Sequence, residues 1–396
     1  MSRLRPTPFA LPLLLAFAAC GSPSGRAPEI ESAPAAALTS TPHTVTMDKY
    51  SLMIDGQRFS LWGGEFHYWR LPSPDLWLDV LQKLKANGYN AATIYFHWGY
   101  HSPAPGVYDF TGIRDVDRLL DMAKQVGLYV IARPGPHINA ETDGGGFPAW
   151  LDRLPGTKRT TDPAYLAYAD EWLSQIDPIL ARHQLTNGTG TIILNQVENE
   201  FTDSSDAGRA YMQHLIDKFH SDGITVPLTG NHWNNFNSGS VGVLDVDGWD
   251  LYPQGFDCSN PTTWAAVPDL SWLRASLTDR PLYFAEFQGG SFDYWGGPGY
   301  DKCRQLTGPD FEKVFTSANL AIGSTMQSFY MTFGGTSWGY LPYPGVYTSY
   351  DYGAAITESR QATAKLDQQR LTGTLLNTAI ALAKTDALPV LGYCPK

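Results

Sequence analysis

Short apolar runs and longer amphipathic stretches follow one another along most of the chain. Residues 90–96 and 128–133 are apolar runs of the kind that forms buried strands. Elsewhere apolar side chains recur every three or four positions, as in residues 76–85 and 163–183, and this spacing predicts helices with one buried face. Strands that alternate with helices in this way indicate a parallel sheet covered by helices.

Eight strand-like segments can be counted, and eight parallel strands with intervening helices close a barrel. The strands are predicted at residues 59–64, 90–96, 128–133, 191–196, 226–229, 243–251, 282–286 and 327–333. The helices are predicted at residues 76–85, 113–125, 163–183, 207–221, 269–277, 311–321 and 359–376. A doubly wound sheet would carry a glycine-rich phosphate turn after its first strand, and none is present there. The predicted fold is α/β, a (β/α)8 TIM barrel forming a single catalytic domain over residues 44–376.

The first residues have the pattern of an export signal. Residues 1–20 hold two early arginines, an apolar run over residues 11–17 and the ending Ala-Ala-Cys, which predicts a signal peptide too short to span a membrane. The sequence F-A-A-C-G-S resembles a bacterial lipobox, with Phe17 where leucine is usual. Lipidation of Cys20, and with it a membrane tether, and ordinary cleavage after Ala19 both remain open.

Residues 21–43 are rich in Pro, Ser, Ala and Thr without an apolar period, which predicts a flexible tether. Residues 377–396 are expected to form a C-terminal tail. The expected location is outside the cytoplasm, either as a periplasmic or outer-surface lipoprotein of a bacterium or as a secreted protein. The sequence predicts no oligomeric state.

Composition narrows the class of ligand. The net charge is −11 and only 17% of residues are charged, which argues against a basic surface for nucleic acid or anionic lipid. Aromatic residues make up 13% of the chain, with 12 Trp and 21 Tyr, and such rings suit the apolar faces of sugars. No C-x-x-C or H-E-x-x-H spacing indicates a metal site, and no cofactor is predicted.

Two predicted strands end in glutamates. The stretch I-I-L-N-Q-V-E-N-E-F at residues 192–201 delivers Glu200, and L-Y-F-A-E-F-Q-G-G at residues 282–290 delivers Glu286. Barrel strands meet at their carboxyl ends, and two carboxyl groups flanking one bond are what glycoside hydrolysis requires. Glu198 is a rival for the first position. Strict alternation would place Glu198 and Glu200 on one side of the strand, so the strand must bend or bulge there if Asn199 is also to reach a ligand.

Other polar residues also lie at predicted strand ends. Glu141 follows Asn139 and Ala140 in a loop, and we expect it to bind sugar hydroxyls because two carboxyl groups already suffice for the chemistry. Glu65 and Arg70 could pair with each other and shape the floor of the site. Three histidines are as consistent with structural hydrogen bonds as with ligand contacts; they are His67, His97 and His101.

Seven sequence motifs, in this order along the chain, resemble those of glycoside hydrolase family 35, the β-galactosidases. Within the family they look most similar to the branch of large secreted fungal enzymes. They are G-E-F-H-Y-W-R-L-P (64–72), A-R-P-G-P-H-I-N-A-E (132–141), G-G-G-F-P-A-W-L (144–151), Q-V-E-N-E (196–200), Y-P-Q-G-F-D-C (252–258), E-F-Q-G-G-S-F-D-Y-W-G-G-P-G (286–299) and Y-T-S-Y-D-Y-G (347–353). Relatives of that branch carry β-sandwich domains after the barrel. This chain ends about 40 residues after the last phrase, so we expect a protein reduced to the catalytic barrel.

The resemblance implies roles for individual residues. Glu200 would be the acid/base and Glu286 the nucleophile. The residues that would hold a terminal galactose are Tyr95, Asn139, Ala140 (through its backbone), Glu141, Asn199, Tyr252 and Tyr347. Cys258 and Cys303, the pair that export and their loop positions also favour, match a disulfide of that branch.

The expected function is that of a retaining exo-β-galactosidase acting on terminal β-D-galactosyl residues of an oligosaccharide or glycan. Two alternatives remain open. The same machinery could remove another terminal β-glycoside, such as β-glucosamine or β-glucose. Otherwise the chain could be a sugar-binding lipoprotein without catalysis.

Overall fold

The structure is a computed structural model that describes residues 41–233 and 241–386. The predicted signal peptide, Cys20, most of the predicted tether and Cys394 lie outside the described residues. Three short antiparallel strands open the described chain: β1 (Val45–Met47), β2 (Leu52–Ile54) and β3 (Gln57–Phe59). The sequence indicated the turn at Asp55-Gly56, but it merged β3 with the first barrel strand.

Eight parallel strands then close a barrel, which confirms the predicted fold class. They are β4 (Leu61–Phe66), β5 (Ala91–Tyr95), β6 (Tyr129–Arg133), β7 (Ile192–Gln196), β8 (Leu228–His232), β9 (Val246–Leu251), β10 (Leu282–Gln288) and β11 (Ser324–Phe333). Each strand pairs with the next along the chain, and β11 pairs with β4. All eight carboxyl ends therefore point to one face of the barrel.

Helices surround the strands. They are α1 (Asp75–Ala86), α2 (Trp98–His101), α3 (Val116–Val126), α4 (Pro163–Arg182), α5 (Asp206–Ser221), α6 (Ser271–Ser276), α7 (Tyr300–Leu306), α8 (Pro309–Ala321) and α9 (Ala364–Thr378). Local signals explain several of their ends. Asp162 caps the first turn of α4 by accepting from the Ala164 N–H, and α3 stops at Gly127, whose φ of 77° favours glycine.

The core has two parts that follow the alternation of the strands. A large cluster lies between strands and helices and includes Trp62, Trp77 and Trp172. A smaller cluster fills the amino-terminal end of the barrel, where Val45 and Leu52 of the first sheet pack with residues of the barrel strands. The smaller cluster fills the barrel interior at this end, and the interior is open toward the carboxyl-terminal face.

A disulfide joins Cys258, in the loop after β9, to Cys303 in α7. The bond ties the loop that follows Tyr252 to the segment that follows β10. Both segments line or adjoin the carboxyl-terminal face of the barrel.

Within residues 41–233 and 241–386, no helix is both long and apolar enough to cross a lipid bilayer.

Candidate active site

A cavity of about 220 Å³ opens at the carboxyl-terminal face of the barrel. Its lining combines carboxyl and amide groups with aromatic rings. The lining residues are Tyr95, Asn139, Ala140, Glu141, Asn199, Glu200, Trp233, Tyr252, Phe256, Glu286, Phe292, Tyr330 and Tyr352. Six of the seven residues expected to hold a sugar and both expected catalytic glutamates are among them.

Glu286 reaches the cavity because β10 is irregular near its end. Tyr283 and Ala285 point into the cluster inside the barrel, whereas Phe284 and Phe287 pack outward toward the helices. Regular alternation would send Glu286 outward with Phe284. The pairing of β10 with β9 shifts register between Phe284 and Glu286, so consecutive residues 285 and 286 both face inward.

The carboxylate of Glu286 is surrounded by donors. Its Oε1 accepts from Arg133 Nη2 at 2.5 Å and from the Tyr95 hydroxyl at 3.2 Å, and Asn231 Nδ2 lies 3.4 Å away. Its Oε2 accepts from the Tyr252 hydroxyl at 2.5 Å. The Arg133 guanidinium and the Tyr252 hydroxyl, both directed at this carboxylate, stabilise a negative charge there.

Glu200 has the opposite environment. The chain leaves β7 at Gln196, and Glu200 adopts a left-handed conformation with φ of 48°. Its N–H donates to Asn231 Oδ1 at 3.0 Å, and among the described residues its carboxyl group has one hydrogen-bond donor, the Asn199 amide at 3.4 Å. Burial, and then the charges of Glu286 and Glu141, raise the pKa of Glu200 to about 8. This environment therefore favours the protonated form of Glu200.

Glu198, the rival of Glu200, is turned away from the cavity. Glu198 also has a positive φ, 61°, so alternation fails twice in three residues and the required bend is present. Its carboxylate pairs with Arg159 at 2.8 Å and accepts from the Tyr211 hydroxyl at 2.8 Å and the Asn199 N–H at 2.9 Å. With its oxygens occupied by these partners, Glu198 fixes the loop and does not face a ligand.

Asn199 is oriented by three donors to one atom. Its Oδ1 accepts from the Tyr95 hydroxyl at 2.5 Å, from Arg133 Nη2 at 3.0 Å and from Asn231 Nδ2 at 3.0 Å. This pattern fixes the amide orientation, because only an oxygen can accept three such bonds. The Asn199 Nδ2 group is consequently directed toward Glu200 and the cavity as a donor.

Arg133, at the end of β6, joins the two glutamate-bearing strands to the barrel floor. Besides Glu286 and Asn199 it binds Glu65, with Nη1 2.7 Å from Oε2, and its guanidinium lies 3.8 Å from the centre of the Tyr95 ring. The Glu65 side chain is fully buried, and burial raises its pKa to about 8. The predicted pairing of Glu65 with Arg70 is therefore wrong, because Arg133 lies closer along the barrel interior.

Arg70 instead supports a strained turn. Asn139, Ala140 and Glu141 have consecutive positive φ values of 52°, 53° and 44°, a conformation that residues with a Cβ rarely adopt. Arg70 Nη2 donates to the carbonyl of Ala140 at 2.8 Å and of Glu141 at 3.2 Å, and its Nε donates to Ser337 Oγ at 3.0 Å. The turn aims these side chains at the cavity.

The carboxylate of Glu141 accepts from two tyrosine hydroxyls, Tyr330 at 3.0 Å and Tyr350. Burial is the main cause that raises its pKa. Both hydroxyls bond to the same carboxyl oxygen, Oε2, so Oε1 is available to a ligand in the cavity. Glu141 therefore lines the same cavity as Glu200 and Glu286, with one of its two carboxyl oxygens engaged by the tyrosines.

Tyr347 lies outside the lining of the cavity. Its hydroxyl accepts from the Gly296 N–H at 3.2 Å, and its ring lies 5.0 Å from Trp295. Tyr352, from the same phrase of sequence, lines the cavity instead, and its φ of 64° turns the backbone there. The expectation that Tyr347 holds the sugar stays a prediction, and Tyr352 is the tyrosine of this phrase that lines the cavity.

The three histidines are buried and make hydrogen bonds inside the fold, although Nε2 of His97 has no partner among the described residues. His67 lies between Glu65, 3.3 Å away, and Arg70. His101 bonds to the Tyr68 hydroxyl at 2.6 Å and the Asp109 carbonyl at 2.8 Å, and His97 accepts from the Tyr100 N–H at 3.2 Å. None of the three lines the cavity. In the described ranges, no group of three or more His, Cys, Asp or Glu is placed to hold a metal ion.

Asn231 links the two glutamates and was not predicted. It lies on β8, accepts from Glu200 N–H, and donates from Nδ2 to Asn199 and to Asp250 at 2.8 Å, with Glu286 within 3.4 Å. The sequence prediction ended this strand at residue 229, which left Asn231 in a loop. A polar residue inside a barrel strand is the signal that would have found it, as it would for Arg133.

Comparisons with known proteins identify sequences similar to most of the described chain. The family model described as "Glycosyl hydrolases family 35" matches residues 51–375. "Probable beta-galactosidase A" of Aspergillus fumigatus is 44% identical over 365 residues, which cover 88% of this chain and 36% of that protein. "Beta-galactosidase" of Aspergillus niger is 43% identical over 342 residues, 83% of this chain and 34% of that protein. The chain thus spans about a third of the length of the curated relatives it matches.

Solved structures are similar in fold alone. A glycoside hydrolase GH5_18 from Streptomyces cattleya in complex with GlcNAc superposes with a TM-score of 0.57 at 13% identity, covering 81% of each chain. The exo-beta-1,4-mannosidase Op5Man5 from Opitutaceae bacterium strain TAV5 gives a TM-score of 0.59 at 15% identity, covering 82% of this chain and 61% of the other.

Proposed function

The chain belongs to glycosyl hydrolases family 35, and on this premise we propose that it is a retaining exo-β-galactosidase, which removes terminal β-D-galactosyl residues. One observation carries the proposal. Two carboxyl groups face the same cavity in opposite environments, Glu200 with a raised pKa of about 8 and Glu286 among cationic and hydroxyl donors. Groups whose environments differ in this way divide the roles of acid and nucleophile.

The two glutamates would act in two steps. Glu286 attacks the anomeric carbon while Glu200 gives its proton to the departing glycosidic oxygen, which yields a glycosyl-enzyme ester and a free alcohol. Water then attacks the same carbon, Glu200 takes a proton from it, and Glu286 leaves as a carboxylate. Two inversions retain the β configuration. The proposal requires the two carboxyl groups to be about 5 to 5.5 Å apart.

Asn199 would assist the same transition state. Its Nδ2 group is directed toward the cavity beside Glu200, because its Oδ1 accepts hydrogen bonds from Tyr95, Arg133 and Asn231 on the other side. A donor at that position can bond to a sugar hydroxyl next to the reacting carbon, an interaction that strengthens as charge develops.

The shape of the cavity supports exo action. Its volume of about 220 Å³ falls below the range of about 300–1,000 Å³ typical of sites for drug-sized ligands. The strained turn at residues 139–141 and the rings of Tyr252 and Tyr330 enclose it. One sugar ring fits this description better than a continuous chain, so we expect cleavage of terminal residues. The relatives' printed names favour galactose as that residue.

Paired variants test these roles. We expect Glu286→Gln to abolish turnover, and Glu200→Gln to slow substrates with poor leaving groups far more than an activated aryl galactoside, which departs without a proton. Added azide should restore turnover in Glu200→Gln and give β-galactosyl azide, because azide needs no general base. Glu171→Gln, on α4 outside the cavity, is the matched control. Near-normal activity of folded Glu286→Gln would contradict the proposal.

Export remains a prediction from residues 1–20, and lipidation of Cys20 remains one as well. We propose an extracytoplasmic location on that pattern. Mass spectrometry of the mature amino terminus, on protein from the native host, tests both export and lipidation. Export predicts a chain that begins at Cys20, and lipidation adds the mass of the attached lipid to that residue.

A further inference from the structure

The guanidinium of Arg133 is shared between two buried carboxyl groups. Its Nη2 lies 2.5 Å from Oε1 of Glu286, the expected nucleophile, and its Nη1 lies 2.7 Å from Oε2 of Glu65. The side chains of Arg133 and Glu65 are 1% and 0% exposed. Because solvent hardly reaches these contacts, it screens them weakly, and the position of each carboxyl group depends on how the guanidinium is held.

Glu65 holds the far side of this guanidinium. Among the described residues, Nη1 of Arg133 donates to Glu65 and to no other group, and Nε has no partner. On the near side Nη2 is bound to Glu286 and Asn199. The ring of Tyr95 packs against the face of the guanidinium, a contact that does not set the direction of its N–H groups. Without the Glu65 carboxyl group, the guanidinium could turn about Nη2.

Glu65 is itself held by a histidine whose tautomer can be assigned. Arg70 Nη1 contacts His67 Nδ1, and because an arginine can only donate, Nδ1 is the accepting nitrogen. Burial, and then the charge of Arg70, lower the pKa of His67 well below its ordinary value, which favours the neutral ring. A neutral ring that accepts at Nδ1 carries its proton on Nε2, which lies 3.3 Å from Oε1 of Glu65. Both oxygens of Glu65 therefore face N–H donors.

Glu65 acts from behind the cavity. It is not among the residues that line the cavity, so it is not placed to touch a ligand there. Its contacts instead lead to Glu286 on one side. On the other side they lead through His67 to Arg70, which supports the strained turn at residues 139–141. The position of Glu65 thus suits a residue that orders the site without reacting in it.

We propose that Glu65 is a positioning residue for the nucleophile: by holding Nη1 of Arg133, it directs Nη2 at Glu286 and fixes that carboxyl group for attack on the anomeric carbon. The inference rests on the proposed function for the role of Glu286. Burial opposes ionisation of Glu65, but Oε2 can accept from Nη1 in either protonation state. The hydrogen bond, and not a particular charge on Glu65, is what the proposal requires.

The rate at which Glu286 is esterified tests this role without turnover. With an activated aryl 2-deoxy-2-fluoro-β-galactoside, a bond forms from Glu286 to the anomeric carbon as the aryloxide leaves, and mass spectrometry of the full chain follows the added sugar. We expect Glu65→Leu to slow this labelling about 100-fold, since small displacements of a reacting group are this costly. Glu65→Gln keeps an acceptor for Nη1 and should label within about fivefold of the wild type.

Glu312 provides the matched control. It is buried in α8, burial raises its pKa to about 8 as in Glu65, and Gln369 Nε2 donates to it at 3.0 Å. It does not line the cavity. Glu312→Leu should lower the thermal stability, as Glu65→Leu does, and leave the labelling rate unchanged.

Glu65→Asp keeps the test decisive if Glu65→Leu fails to fold. Aspartate stays polar, but its shorter side chain cannot hold Nη1 in the same place, so we expect labelling to slow about tenfold. Wild-type labelling rates in folded Glu65→Leu or Glu65→Asp would overturn the proposal. Equal slowing by Glu65→Leu and Glu65→Gln, or by Glu65→Leu and Glu312→Leu, would also overturn it. A wild-type chain that takes up no label would instead contradict the proposed function, and with it the premise of the inference.

Discussion

Glu200 can act as an acid only while it keeps its proton, and its environment decides over what pH range it does. Burial and the neighbouring carboxyl groups raise its pKa to about 8. Because the protonated form is the active one, kcat/KM should be sustained through neutral pH and should fall as the pH rises through about 8. Glu65 has a similarly raised pKa, so the fall in activity needs a variant to assign it.

The assignment can be made from pH–rate profiles with an alkyl galactoside, whose leaving group needs a proton, since an activated aryl galactoside should show a much weaker alkaline fall. Glu200→Gln should lose the alkaline fall in kcat/KM and keep a slower, flatter profile. If the alkaline fall persists unchanged in Glu200→Gln, then another group, with Glu65 the first candidate, controls it.

Asn231 positions both glutamates without being placed to react. Its amide oxygen accepts from the Glu200 N–H, and its Nδ2 group donates to Asn199 and Asp250 and lies 3.4 Å from Glu286. We expect Asn231→Ala to lower kcat/KM about 100-fold, since small displacements of reacting groups are this costly. In Asn231→Asp, a new negative charge beside Glu200 should also move the alkaline fall to higher pH. Asn377→Asp, on α9, is the control, and an unmoved pH profile in Asn231→Asp would count against this role.

At the scale of elements, the loop after β7 decides which glutamate faces the cavity. Glu198 is fully buried against Arg159 and Tyr211, so it belongs to the support of the loop. Glu198→Gln should lower the free energy of unfolding by about 2 kcal/mol, because Arg159 loses a charged partner but stays partly hydrated. Turnover should remain measurable, unlike in Glu286→Gln.

Thermal unfolding together with kcat measures this difference. Asp217→Asn on the exposed face of α5 provides the matched loss of one carboxylate. Complete loss of turnover in Glu198→Gln with unchanged thermal stability would instead return Glu198 to the reactive pair.

Most elements could be predicted from sequence because their signals are local. Helix α4 and strands β5, β6 and β7 came within one residue of their predicted ends, since apolar period and caps define them. Strand β8 was predicted too early in the chain, because its last residues, Gly230, Asn231 and His232, lack the apolar pattern of a buried strand. Polar side chains inside the barrel mark the site and not the end of the strand. Helix α7 was missed because it follows a glycine-rich stretch.

The finer geometry of the site could not be predicted because it depends on distant residues. The left-handed turn at residues 139–141 is held by Arg70, about 70 positions earlier in the chain. Likewise the pairing of Glu65 with Arg133, and the position of Tyr352 in the cavity lining, depend on how β4, β6 and the last loop meet. Sequence supplied the residue types at strand ends, and the closed barrel determined which of them converge.

At the scale of the whole molecule, α9 ties the end of the barrel to the site. Lys365 of α9 is buried and donates to the Gly289 carbonyl at 2.6 Å, Thr307 Oγ1 at 2.8 Å and the Gly353 carbonyl at 2.7 Å. Gly353 follows Tyr352 of the cavity, and Gly289 follows the strand that bears Glu286. One ammonium group thus joins three segments around the site.

We expect Lys365→Met to lower the free energy of unfolding by roughly 3 kcal/mol, because two buried carbonyls lose their donor. The kcat/KM value should fall as well, since both segments near the cavity lose a fixed partner. Denaturant unfolding alongside kinetics measures both effects, with Lys313→Met at an exposed position of α8 as the control. Equal stability of the two variants would show that Lys365 is not needed to hold the segments.

The central claim is that Glu200 and Glu286 carry out a double displacement on a terminal β-galactoside. Proton NMR of an aryl β-galactoside during the first minutes of hydrolysis by the full chain tests it most directly, with Glu286→Gln run in parallel. We predict that β-galactose appears first and converts to the α anomer only by mutarotation, and that Glu286→Gln releases neither. First release of α-galactose, or of no galactose by the folded wild-type chain, would contradict the account.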